Sequence, residues 1–291
     1  MPRHSRPADP LAARRLISDY SLEMTGKDIP DLLVARSAIP AGTKINVTFL
    51  GNEDLELRVA AAAAVRAAGY VPVPHISARR LASRSQLEEF LGRLQDVGAS
   101  ERVLIVGGDP ATPAGPYSAA YDVIGTGLLP EYGVREVSVA GYPEGHPDLR
   151  PDVLWRHLEA KAAALAEQRL DSVVISQFAF DPDPVITWIH EVRERGIHAQ
   201  IRVGTPGPAG VKRLLGFARR FGIGANAMIV KKYGFSLTNL VGTAGPDVFV
   251  ADLAVRLAGD PASGAVKLHF YTFGGLSATS HWAREFPTAG P

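Results

Sequence analysis

Eight short runs rich in Val, Ile, Phe and Tyr recur along the chain, and the stretches between them carry apolar residues at helical spacing. The runs are DYSLEM (19–24), KINVTFL (44–50), YVPVPHI (70–76), RVLIVGG (102–108), VSVAGYP (137–143), SVVISQFAF (172–180), HAQIRVGTP (198–206) and VKLHFYTFGG (266–275). Most break at Gly or Pro, as strands do. Between them, LELRVAAAAAVRAAG ends on Gly69, SQLEEFLGRLQDVG on Gly98 and DPVITWIHEVRERG on Gly196, where glycine suits a helix C-terminus. RPDVLWRHLEAKAAALAEQRL, GVKRLLGFARRFG and DVFVADLAVRLAG show the same spacing. Eight strands alternating with helices over one domain length predict a single (β/α)8 TIM barrel over residues 1–291. Residues 1–17 read as an N-terminal extension and 282–291 as a tail. An open doubly wound sheet fits less well, because no GxGxxG turn follows the first strand. The loop 226–246 is expected to hold an extra helix.

Composition narrows the class without naming it. With 291 residues, 46% of them hydrophobic, the chain can bury a sizeable core. Thirty-one Lys and Arg stand against 30 Asp and Glu, so a net charge of +1 gives no pull toward nucleic acid or an anionic membrane. The absence of cysteine excludes disulfides, thiolate catalysis and Cys-based metal centres. The basic start MPRHSRPADPLAARRL is not followed by an apolar signal core, and no apolar run is long enough to span a bilayer. These features lead us to expect a cytoplasmic protein. The eight histidines show no HxxxH or HExxH pairing, so no metal site is expected.

In a barrel of this kind chemistry sits at the C-terminal ends of the strands. Polar groups collect there: Glu23, Thr48, His75, Gly107-Gly108-Asp109, Tyr142 with His146, Gln177 and Tyr271. Each has a plain alternative. Asp109 before a proline suits a turn, His75 suits a satisfied core histidine, and Thr48 is a good strand former. Gln177 is harder to place, since an amide with up to four hydrogen bonds interrupts an apolar run. Glu23 ends an apolar strand and must find water, a partner or a raised pKa. Their convergence on one mouth outweighs the separate alternatives.

Four ordered segments, VAGYPEGHPD (139–148), ISQFAFD (175–181), IVGGDP (105–110) and KLHFYTF (267–273), resemble the catalytic barrel of the methylenetetrahydrofolate reductase family, bacterial type. The resemblance runs from about Ser21 to Phe273. It implies hydride transfer from NAD(P)H through FAD to 5,10-methylenetetrahydrofolate, or the reverse oxidation, in one-carbon metabolism. By the same resemblance Glu23 is the general acid, Gln177 binds the pterin, and Asp109 serves both pterin and flavin. Thr48, His75, Val106, Gly107, Gly108, Asp109, Tyr117, Tyr142, His146 and Lys161 match cofactor positions. Glu23, Thr48, Asp109, Gln177 and Tyr271 match positions that meet the folate.

The departures bear mainly on FAD. An arginine that the family carries before Gly-Asp is replaced by Gly107, and FPP after the acid by MTG (24–26). The helix read as supplying cations to the diphosphate is about one turn longer, leaving Lys161 as the best remaining phosphate ligand. The family's phenylalanine after strand seven falls near Val211. A flavin-free enzyme passing hydride directly to the folate is therefore an alternative. A folate- or flavin-binding relative with little catalysis is a second, and a flavin dehydrogenase acting on a secondary amine a third. From this length, no C-terminal regulatory domain is expected. The apolar stripes of FVADLAVRLAG and LLGFARRFG pack within the barrel or against another subunit, which leaves a homo-oligomer open.

Overall fold

A computed structural model describes residues 10–49, 51, 53–210, 216, 243–273 and 275–286. All eight expected strands form, and they close into one parallel barrel. They are β1 (Ser21–Met24), β2 (Lys44–Val47), β3 (Val71–Ser77), β4 (Arg102–Val106), β5 (Glu136–Gly141), β6 (Asp171–Phe178), β7 (Gln200–Pro206) and β10 (Val266–Tyr271). The antiparallel pair β8 (Ala209–Gly210) and β9 (Thr243–Ala244) lies outside the barrel sheet. Most of the helix expected over 210–222, most of the loop 226–246, and Val211 lie outside the described residues.

Helices form where caps and apolar spacing agree. They are α1 (Pro10–Ile17), α2 (Ile29–Ala35), α3 (Leu55–Ala67), α4 (Arg84–Asp96), α5 (Ala120–Ile124), α6 (Leu128–Glu131), α7 (Pro151–Glu167), α8 (Pro182–Glu194), α9 (Asp247–Ala258) and α10 (Leu276–Glu285). Asp54 accepts from Leu57 N at 2.8 Å to start α3, and Ser83 accepts from Gln86 N at 3.1 Å to start α4. Proline opens α7 and α8, where its missing N–H costs nothing. The segment read as an N-terminal extension contributes α1, whose Ala12, Ala13, Leu16 and Ile17 are buried. The segment read as a tail begins inside α10, whose Ala283 is buried. Among the described residues no helix is long and apolar enough to cross a membrane.

Strand alternation divides the barrel into layers. Leu22, Ile45, Val103, Val137, Val174, Ile201 and Phe270 face outward into one continuous core with the helices. Inside, Val73, Leu104, Val173 and Ile175 form a small apolar plug, with Val106 packed against it. Below the plug the strand starts carry charge. Lys44 pairs with Glu136 at 2.8 Å, Arg102 reaches the same carboxylate at 3.7 Å, and buried Arg202 meets Asp19 at 2.8 Å. Above it the inward positions are those of the candidate site. A dry plug between a charged floor and a polar mouth confines the chemistry to the upper end.

Candidate active site

Glu23, the penultimate residue of β1, has its side chain 19% exposed, and three inward-facing groups surround it. His269 Nε2 lies 3.8 Å from Glu23 Oε2, while His75 and Tyr271 lie within electrostatic reach of the same carboxylate. His75 is buried. Burial pushes its pKa down to about 4, opposed by Glu23 and reinforced by His269 and Arg58, so it is neutral at pH 7. Burial, helped by Glu23 and Tyr142, raises the Tyr271 phenol well above its usual range. Tyr271 therefore stays protonated and donates to Ser176 O at 3.1 Å.

Sequence reasoning missed two supports of this cluster. Arg58, on α3, donates to the His75 carbonyl at 2.9 Å and stacks between the rings of Phe49 and Phe90, 3.7 and 4.1 Å from their centroids. It braces the end of β3 from behind. His269 is the other. Alternation could have found it: once Tyr271 is taken as inward, the residue two before it must be inward too.

Gln177 owes its place to a bulge. The register between β6 and β7 slips between Ile175 and Phe178, so β6 carries one extra residue there. Ser176 pins the irregularity, accepting from Gly204 N and donating to Gln177 O, both at 2.8 Å. Gln177 Oε1 in turn accepts from Phe178 N at 3.0 Å. Its Nε2 makes no hydrogen bond among the described residues, so the amide presents chiefly its donors. Around it Phe178, Tyr271 and Phe273 form an aromatic wall, with centroid separations of 5.5, 5.5 and 6.2 Å.

The β4 end forms the lip. Gly108 has φ of 96°, and an added Cβ would lie 2.1 Å from Ser77 Oγ, so both the turn and the close approach require glycine. Asp109 is exposed and ion-paired to Arg80 at 2.6 Å. That arginine comes from the 3-10 turn Ala78–Arg80 after β3, so a cation absent from position 107 reaches the aspartate from the neighbouring strand. Tyr142 and His146 stand edge to face at 5.2 Å beyond β5. Beside them a cleft of about 400 Å³ opens between α7 and α8, lined by Tyr142, Glu144, Trp155, Trp188 and Glu191. Tyr117 is buried in the main core.

Lys161 is placed elsewhere. It is 7% exposed on α7, with Nζ 3.4 Å from Ala140 O, and burial lowers its pKa to about 8. The unfolded chain holds the proton more tightly, so folded stability rises with pH from about 8 to 10.5 and carries the full penalty below 8. Over this 2.5-unit gap that penalty is at most about 3 kcal/mol. Lys161→Met is expected to hold or raise Tm at pH 7 and to flatten its rise toward pH 10, as measured by thermal melts across that range.

Thr48 Oγ1 and His75 Nε2 are buried without hydrogen-bond partners among the described residues. Such atoms at a strand-end mouth fit a polar-edged planar ligand better than an apolar one.

The sequence profile of the methylenetetrahydrofolate reductase family matches residues 34–280. "Methylenetetrahydrofolate reductase 1" of Schizosaccharomyces pombe is 32% identical over 142 residues, 47% of this chain and 22% of the relative. "Probable methylenetetrahydrofolate reductase (NADH)" of Oryza sativa subsp. japonica is 30% identical over 135 residues, 42% of this chain and 22% of the relative. The chain thus matches about a fifth of the length of these relatives. Among solved structures, dihydropteroate synthase from Thermus thermophilus aligns with a TM-score of 0.49 at 16% identity, covering 94% of this chain and 93% of that one. With the profile match spanning most of its length, the chain belongs to the methylenetetrahydrofolate reductase family.

Proposed function

We propose that the barrel mouth reduces 5,10-methylenetetrahydrofolate to 5-methyltetrahydrofolate with hydride from NAD(P)H, or runs the same reaction toward oxidation. The observation that carries this reading is Glu23, a carboxyl group at a strand end walled by His75, His269 and Tyr271. In the reductive direction Glu23 gives its proton to N10 of the folate and the bond from N10 to the bridging carbon breaks, leaving an iminium at N5. Hydride then adds to that carbon, and the oxidised nucleotide leaves. Gln177 Nε2 offers donors to the pterin, and Asp109 at the lip offers an acceptor. Neutral His75 adds no positive charge beside the forming cation.

The residues fit the ring of FAD better than its diphosphate. Thr48 and His75 present buried, unpartnered polar atoms, whereas Lys161 is committed to Ala140 O beneath α7. When bound, FAD would supply a hydride relay between nucleotide and folate. The burial of Lys161 favours a second reading, in which hydride passes from NAD(P)H to the folate directly.

An absorption spectrum of the purified protein, followed by anaerobic 5-methyltetrahydrofolate, separates the two. Flavin bands that bleach support the FAD route. A colourless protein that FAD cannot reconstitute, yet consumes NADH with methylenetetrahydrofolate, supports direct transfer. Binding of folate without turnover by either route would overturn the reductase reading in favour of a carrier.

A further inference from the structure

His269 is a fully buried ring that the proposed chemistry leaves unused. Its Nδ1 lies 2.9 Å from Ser21 Oγ, and its Nε2 is buried without a hydrogen-bond partner among the described residues. The acidic oxygen before that nitrogen is Glu23 Oε2, at 3.8 Å. Ser21 and Glu23 alternate onto the same inner face of β1, and Ser21 pairs in register with His269 across to β10. One histidine therefore spans two successive inward residues of the neighbouring strand.

We propose that His269 is a positioning residue that decides which oxygen of Glu23 carries the acid proton. This rests on Glu23 being the proton donor.

The Ser21 hydroxyl is fully buried, and His269 Nδ1 is its one hydrogen-bond partner among the described residues. Its proton is satisfied only if it donates to Nδ1, which places the ring proton on Nε2. That N–H faces Oε2. It can donate to a carboxylate, and equally to the carbonyl oxygen of the protonated acid. In the protonated acid Oε2 is then the acceptor, and the proton sits on Oε1, free of the histidine. The gap of 3.8 Å exceeds a hydrogen bond; catalytic contacts of this kind commonly tighten when substrate binds. The other titratable or charged groups about this pair are His75 on β3, Tyr271 on β10, and Arg58 on α3 behind His75.

The test begins with 15N NMR of histidine-labelled protein, the His269 signals being assigned by their loss in His269→Gln. The expected result is an unprotonated Nδ1 and a protonated Nε2 whose resonance moves in Glu23→Gln. Ser21→Ala should release the tautomer. In turnover, His269→Ala should lower kcat about 10-fold with KM for folate nearly unchanged. It should add nothing on the Glu23→Gln background, and His269→Gln, which keeps an N–H within reach, should recover part of the rate. A protonated Nδ1, an Nε2 signal indifferent to Glu23→Gln, or rate losses that multiply in the double variant would overturn the proposal. An inactive protein whose Nε2 signal does respond would overturn the reductase reading and leave the pairing standing.

Discussion

Glu23→Gln is expected to lower kcat by about 10²- to 10⁴-fold, the range general acids contribute, while folate binding stays within a few-fold. Glutamine keeps the shape and the acceptor oxygen facing His269, and loses only the transferable proton. Without that proton the bond to N10 cannot open, so the hydride acceptor does not form. Single-turnover rates with methylenetetrahydrofolate, alongside fluorescence titration with 5-methyltetrahydrofolate, measure both quantities. Loss of binding in step with loss of rate would mean that Glu23 grips the folate and does not protonate it. Full activity would remove it from the chemistry.

Gly204→Ala should lower stability and should disturb the site as well. A Cβ there would lie 2.4 Å from Ser176 O, 2.7 Å from Tyr271 Cε2 and 3.0 Å from Gln177 C. Two of these neighbours are backbone in the bulge, so they cannot swing aside as a side-chain tip would. Overpacking of this kind costs about 1–3 kcal/mol, which for a domain of this size corresponds to a Tm drop of roughly 2–8 °C. The same displacement breaks the bond from Gly204 N to Ser176 Oγ and shifts Gln177, so KM for folate should rise. Gly107→Ala is the control, because nothing lies within 4 Å of its added Cβ. Thermal melts of both variants check the comparison, and an unchanged Tm in Gly204→Ala would mean that β6 and β7 can part there freely.

Much of the fold was legible along the chain because its rules are local. A strand of period two needs only its own residues to show which face is apolar, and eight such runs with helices between them leave few architectures. Leu22, Ile45, Val103 and Phe270 face the helices as alternation requires, and that places Glu23, Thr48, His75 and Tyr271 on the inner face. The same rule extends to His269, two residues before Tyr271 on β10.

What only the tertiary structure decided depends on pairing between distant segments. The bulge that turns Gln177 exists because β6 runs one residue long against β7, and neither strand alone encodes that mismatch. Arg80 and Asp109 meet because β3 and β4 are neighbours, although 29 residues separate them. Lys161 carries an ordinary helix-surface residue type, and the rotation of α7 against β5 is what buries it on Ala140 O. Local periodicity sets which way a residue faces within its own element; only the packing of elements sets what it faces.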